Sequence, residues 1–479
     1  MSGAEGGTVI IGGSVAGLTT ALALARRGLP VTVVDRAPVG TATDPGAAFT
    51  ESGGVPQRRH SHAFLARLRE ALRAGAPDVL EGLLAAGATE IAFADHLPPG
   101  MPADPRPGDD QLVALACRRT TFDGVLGAVA RAEPGIRWRP GSGVRGLASR
   151  PGPVPTVTGV VLDSGEVLPA GLVVDAGGRR SPLPRWLAAE GAVVPAEETS
   201  ECGLLYTSRF YRLRPGQRPP VEGLLGGDLD YMKVGLFLGD NETISITMGL
   251  PTDDGELRAL LRPEAFDRAA RAVTSTAPWV DPAVAEPISG VEVMARLTNT
   301  RRWLVAGGRP VALGVVALGD AAVHTNPLYG RGCSLAVVQA FALAELLAGD
   351  PSPETLALAW EEVLVREVEP WYRSAVVQDR QNRAGLAAFR GEDPSEEDVA
   401  LRQMAELLRE GLLPATRTAP AVHRAFLRVM NLLDQPEALA SDPEVAGAVL
   451  ASFASRADRP PAEPLGPGRD ELLELVTAG

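Results

Sequence analysis

The chain has 479 residues, 45% of them hydrophobic, enough to bury a large core and form two or three packed units. Its 59 acidic residues outnumber 46 basic ones, giving a net charge of −13 that disfavours nucleic acid and anionic membranes as partners. Cys117, Cys202 and Cys333 are too scattered for a disulfide framework or a zinc site, so no metal is expected.

Residues 8–11 read as a short buried strand, 14–27 as a helix stopped by Gly28 and Pro30, and 31–34 as a second strand ending in Asp35. The apolar run 8–25 is broken by Gly12, Gly13 and Gly17 and has no basic n-region before it. No signal or integral membrane segment is therefore predicted, and the setting is expected to be cytoplasmic and reducing. Residues 41–59 are rich in Gly, Thr and Pro and predict a loop, while 62–87 have helical spacing. Next come a loop over 98–110, a strand over 112–116 leading into Arg118 and Arg119, a helix over 122–131 and a strand over 136–139. A hairpin turns at Asp163, Ser164 and Gly165, and a buried strand over 172–174 closes on Asp175. From about 199 to 293 the texture becomes antiparallel, with strands over 204–213, 231–238 and 243–250 and a turn at Asp240 and Asn241. A helix spans 263–273, and the chain after Ser334 is mostly helical, with a Pro-rich break over 460–467.

Two segments carry chemistry. Gly12, Gly13, Ser14, Val15, Ala16 and Gly17 form a GxSxxG variant of the dinucleotide fingerprint. Glycine makes the tight turn, a small residue meets the pyrophosphate, and the last glycine lets helix and strand close on each other. The helix N-terminus then faces the phosphates and Asp35 suits ribose hydroxyls. A second match to the bare pattern, 141–146, has no helix after it and reads as a strand edge and bend. The segment 317–332 ends an apolar run in Gly319 and Asp320, then passes through Pro327 to Gly330, Arg331 and Gly332. Asp320 offers an acceptor to a polyol, Pro327 can lie flat against a ring, and the following helix N-terminus favours negative charge at the ring's pyrimidine edge.

On these residues, together with the stretches 119–123 and 175–181, the chain resembles an FAD-dependent oxidoreductase of the para-hydroxybenzoate hydroxylase superfamily. It falls on the branch shared by epoxidases, halogenase-like and geranylgeranyl reductase-like enzymes, and the similarity runs over most of residues 8–347. The resemblance implies an α/β fold: a Rossmann-like FAD-binding domain (1–75, 106–190 and 290–348), an antiparallel-sheet substrate domain (76–105 and 191–289) and a C-terminal helical region (349–479). It implies that residues 12–17 hold the pyrophosphate, that Asp35, with Arg36 beside it, faces adenosine, and that Arg119 contacts FAD. Asp320 would hold the ribityl chain, and Pro327, Gly330, Arg331 and Gly332 would face the flavin, Arg331 through its backbone. Arg58 and Arg59 precede His60 and His62; Arg59 is a candidate for FAD phosphate, and two histidines without a third ligand do not make a metal site. His324 reads as packing. Asp95, Tyr206, Tyr211 and Tyr231 read as packing or as lining of a substrate cavity, and 425–433 as core or cover.

Two departures narrow the expected function. Gly177 stands where the hydroxylases carry an acid tied to FAD and NADPH handling, so NAD(P)H is expected as reductant either directly or through a partner flavin reductase. No tryptophan pair has the halogenase Trp-x-Trp spacing, and Lys233, the sole lysine, lies in the predicted substrate sheet, which argues against a halogenase. The expectation is a monooxygenase of bacterial secondary metabolism. It would use O2 and a flavin C4a-hydroperoxide to epoxidise or hydroxylate a small apolar or aromatic metabolite, with no catalytic acid or base assigned. A C=C reductase or dehydrogenase, and a flavoprotein using FAD structurally for a cyclisation, stay open.

Overall fold

Five parallel strands form the central sheet. Thr8–Ile11 lies at the centre, flanked on one side by Val31–Asp35 and then Ile136–Pro140, and on the other by Leu172–Asp175 and then Val315–Ala317. This computed structural model describes residues 6–37, 59–219, 225–460 and 463–477. The predicted loop over 41–59 therefore falls outside the described residues except for Arg59, and Arg58 falls outside them too. Val9, Ile10, Val33, Val34, Val173, Val174 and Val316 are buried, as expected of strands covered on both faces. Strand order reverses between Thr8–Ile11 and Leu172–Asp175, so a crevice opens at their carboxyl ends, where such sheets bind ligands.

Two helices close this crevice from below. Val15–Ala25 and Gly332–Ala348 pack against each other and share the core with the sheet. The helix Pro353–Glu367 pins the fifth strand, its Trp360 indole donating to the Ala317 carbonyl at 2.9 Å. The helix expected over 62–87 is two helices, Ala66–Gly75 and Pro77–Ala85. Pro77 lacks an N–H and forces the preceding Ala76 out of helical geometry, so the first helix must end there. The second fingerprint match leads into the strand Val144–Arg150, paired with Thr156–Leu162, and no helix follows it.

The second sheet is antiparallel and runs, in spatial order, Gly226–Asp228, Lys233–Leu238, Thr243–Pro251, Leu204–Leu213 and Ala285–Pro287, with Glu292–Met294 also paired to Leu204–Leu213. Its two faces differ because side chains alternate along each strand. One face buries Leu205, Tyr211, Val234, Leu236, Ile246, Met248 and Leu250 under the helices Pro263–Ala272 and Arg469–Thr477. The other presents Tyr206, Ser208, Phe210, Lys233, Gly235, Phe237, Ser245 and Thr247, a mixture of aromatic, hydroxyl and small groups with one lysine. Among the described residues no helix is long and apolar enough to cross a membrane.

A buried ion pair joins the two sheets. Arg118, just before the helix Arg119–Ala132, donates its backbone N–H to Asp240 at 2.6 Å and its Nη2 to the same carboxylate at 2.6 Å. Asp240 sits in the turn between Lys233–Leu238 and Thr243–Pro251 and also accepts from Thr121 at 2.9 Å. Burial pushes its pKa up, but the Arg118 bonds outweigh this and hold it below the usual carboxylate value. Removing one partner strands a buried charge. Arg118→Ala should lower the unfolding free energy by about 3–5 kcal/mol in urea titrations followed by tryptophan fluorescence. A loss under about 1 kcal/mol would show that the pair does not tie the sheets together.

Candidate active site

The fingerprint folds as a cradle because its glycines leave room. Gly12 has a positive φ of 105°, and a Cβ there would stand 2.6 Å from the Ala176 carbonyl of the neighbouring loop. A Cβ at Gly17 would overlap the Gly12 carbonyl, so only glycine lets the helix start this close to the strand. Ser14 is the N-cap of Val15–Ala25 yet makes no side-chain cap bond, which leaves the first-turn amides free for an anion. Asp35 turns back over the cradle: one oxygen accepts from the Gly13 N–H and the other from the Ala37 N–H at 2.6 Å. Arg36 is exposed beside it, 3.5 Å from the Val144 carbonyl.

Arg119 gathers the site's parts. It is buried, and its Nε pairs with Asp123 one turn along the same helix at 2.7 Å. Its Nη2 donates to Ser14 Oγ at 2.9 Å, and its Nη1 reaches Cys333 Sγ and His62 Nε2, each at 3.2 Å. Burial opposes the charge, but Asp123 overrides it, so Arg119 stays fully protonated. One planar fork thus links the pyrophosphate cradle, the 60–62 loop and the start of the helix Gly332–Ala348.

The segment 317–332 supplies the remaining wall. Gly319, with φ of 61°, donates its N–H to Gln339 Oε1 at 2.9 Å. Asp320 follows it, partly exposed, and is the nearest group to the open side of Gly332, at 3.8 Å. Asn326 caps the short turn Pro327–Tyr329, accepting from the Leu328 N–H at 3.1 Å, and Gly330 then turns with φ of 64° against Ala63. The Arg331 side chain leaves the crevice and lies between the rings of Tyr329 and Trp371, 4.8 and 4.9 Å from their centroids. Burial lowers its pKa to about 10. Its backbone, not its guanidinium, stays at the helix start. An open glycine cradle, uncapped helix amides and the Asp320 carboxylate beside the start of the second helix fit FAD, whose ring would lie against 327–332.

The structure brings residues 12–17, Asp35, Arg119 and Asp320 to one edge of the parallel sheet. It does not bring Arg59 there: its guanidinium pairs with Glu292 of the second sheet at 3.8 Å. His324 packs, its Nδ1 donating to the Thr298 carbonyl at 2.7 Å. Tyr211 and Tyr231 bond Asp267 and the Pro467 carbonyl, away from the crevice. Asp175, not weighed as a site residue, is wholly buried and shapes the loop after its strand, accepting from the Gly177 N–H at 2.9 Å and from Ser181 Oγ. A missing acid at 177 was visible in sequence; that Asp175 organises the same loop needed the fold.

A chain of hydroxyls crosses from the 60–62 loop to the polar face of the second sheet. Thr247 donates to Ser61 at 2.7 Å and Ser61 to Ser245 at 2.8 Å. Thr247 must then accept from Ser208 at 2.8 Å, and Ser208 from His60 Nδ1 at 3.2 Å. Each hydroxyl has one proton, so His60 carries its hydrogen on Nδ1 and keeps Nε2 as an acceptor. Burial lowers the His60 pKa to about 4. His62 drops to about 3 through desolvation and the Arg119 charge, and its Nδ1 donates to the His60 carbonyl at 2.9 Å. Both rings are neutral at neutral pH.

Residues 8–195 match the family of FAD dependent oxidoreductases. Over 482 aligned residues the chain is 27% identical to Protein Rv3254 of Mycobacterium tuberculosis, covering 92% of each. PqsL, described as a probable FAD-dependent monooxygenase from Pseudomonas aeruginosa, superposes with a TM-score of 0.57 at 17% identity, over 79% of this chain and 98% of that one. The flavin-dependent brominase Bmp2 superposes at 0.56 and 15% identity, over 94% and 99%. Over residues 8–195 the chain is similar to FAD dependent oxidoreductases, and as a whole it shares the fold of these flavoproteins. Lys233 lies on the antiparallel sheet, ion-paired with Asp228, as expected.

The histidines predict a pH dependence. Their folded pKa values lie below the ordinary 6.5, so between about 4 and 6.5 the unfolded chain binds more protons and stability rises with pH. Each contributes at most about 1.4 kcal/mol per pH unit, less for the partly exposed His62. In urea unfolding at pH 7 and pH 5, the wild type should lose more stability than His60→Gln. Equal losses would mean that His60 is not held neutral by the fold.

Proposed function

We propose that the chain is a monooxygenase that transfers one atom of O2 to a small, mostly apolar or aromatic metabolite by epoxidation or hydroxylation. The observation that carries this reading is the facing of two surfaces. The 327–332 loop, where the ring would lie, stands close to a sheet face of aromatic and hydroxyl groups, joined to it through Tyr206 and Asn326 and bonded to His60 through Ser208. FAD, when bound and reduced, supplies the oxygen-activating chemistry. The protein's part is to bind, orient and keep water out. Residues 12–17 and Arg119 would take the pyrophosphate, Asp35 the adenosine ribose and Asp320 the ribityl hydroxyls. His60, through Nε2, would accept a hydrogen bond from the substrate.

Electrons would come from NAD(P)H, and the Asp175 loop bears on the route. Its carboxylate is spent on Gly177 and Ser181, and no acid stands at 177 to handle the nicotinamide cofactor. This favours delivery through a separate flavin reductase. The description of PqsL as a monooxygenase supports the reading without fixing a substrate.

The purified protein, loaded with FAD and given NAD(P)H with a flavin reductase under 18O2, should yield product carrying one heavy oxygen from a panel of apolar and aromatic metabolites. A product that forms equally well without O2, or carries no label, would replace monooxygenation by C=C reduction or a non-redox role.

A further inference from the structure

The helix Glu369–Phe389 lies well beyond the strands of the FAD-type fold, yet one of its side chains reaches the base of the flavin loop. Asp379 is wholly buried. Its Oδ2 accepts from Asn299 Nδ2 at 2.7 Å, and its Oδ1 accepts from Asn326 Nδ2 at 2.7 Å and from the Tyr329 hydroxyl at 3.4 Å. The Cys202 thiol is a further partner. The two asparagines interlock, the Asn326 backbone N–H donating to Asn299 Oδ1 at 2.7 Å. Asn326 Oδ1 is then left to accept from the Tyr206 hydroxyl at 2.6 Å and from the Leu328 N–H at 3.1 Å.

Donor and acceptor arithmetic gives this cluster a direction. A carboxylate at 379 accepts one amide NH2 at each of its two oxygens, an arrangement that an amide there, with one oxygen and one NH2, could not reproduce. It thereby turns both asparagines so that their oxygens face the loop. One oxygen receives the Asn326 main chain and the other caps Pro327–Tyr329, after which Gly330 turns toward Ala63. Tyr206, from the polar face of the second sheet, is drawn into the same network.

We propose that Asp379 is a positioning residue for the flavin: through Asn299 and Asn326 it holds the 326–330 loop in the shape that receives the ring, and it couples that loop to Tyr206 of the substrate sheet. This rests on the FAD site proposed above. It assigns a cofactor role to the C-terminal helices, which otherwise read as cover.

The test exchanges donor for acceptor at constant volume. Asp379→Asn places an amide opposite two amide donors, so one bond must be lost. FAD affinity should fall at least about tenfold, the scale of one lost hydrogen bond to a charged group, and the bound flavin's visible spectrum and midpoint potential should shift. The double variant D379N/N326D transposes the pair: the new amide donates to the new carboxylate and still accepts from Asn299. It should regain most of the affinity and the wild-type spectrum, while Asn326→Asp alone, which sets two carboxylates against each other, should be worse than either. FAD binding is read by quenching of flavin fluorescence, and folding by circular dichroism of each apoprotein. Wild-type protein that binds no FAD would overturn the cofactor site and this proposal together. Wild-type-like affinity and spectrum in D379N would overturn the positioning role alone. So would a double variant that stays as defective as the single one while its apoprotein is folded.

Discussion

A buried guanidinium that must stay charged is the constraint from which the active site follows. Arg119 cannot shed its proton, and burying a cation is costly unless each direction of its fork is met. Asp123 meets one from within the same helix, and Ser14, His62 and Cys333 meet the others. Those three residues come from the cradle, the 60–62 loop and the flavin-side helix. Satisfying one charge therefore sets the mutual position of three segments distant in sequence. It also fixes His62 as a neutral acceptor, because a protonated ring would point a donor at another donor.

The second sheet is joined to this framework by polar contacts and by a small apolar cluster of Leu204, Tyr206, Met294 and Leu297 with Leu328. Its hydrophobic face is spent on the helices Pro263–Ala272 and Arg469–Thr477, which form a second core of their own. What remains toward the crevice is Arg118 with Asp240, the hydroxyl chain from His60, and Tyr206 with Asn326. Hydrogen bonds are directional where apolar packing is not, so such a junction can fix the distance between the second sheet and the 326–330 loop within narrow limits. The C-terminal helices join it through Asp379, and Arg331 is held between Tyr329 of the loop and Trp371 of the same helix as Asp379.

Much of this was legible in the residues themselves, and the misses have local causes. The glycines at 12, 13 and 17 announce a backbone crossing because no other residue survives there, and Asp35 and Asp320 end apolar strands where a polar group has little structural reason to be. Pro77 was a visible break inside a helical pattern, but amphipathic spacing on both sides concealed it. Arg59 and Glu292 are distant in sequence, and an arginine beside histidines carries no mark of which anion it will meet. Asn299, Asn326 and Asp379 are unremarkable singly, since buried amides and carboxylates show their meaning only as a satisfied set.

The parallel sheet and its glycine-rich edge were legible in the residues alone, because they depend on period, glycine placement and acids at strand ends, all local along the chain. It took the tertiary structure to show which face of the second sheet meets the 60–62 and 326–330 loops, which way the Arg331 side chain points, and that Asp175 and Asp379 bond into the two loops. Those outcomes depend on hydrogen-bond partners contributed by other elements, and a donor has no fixed direction until its acceptor is in place.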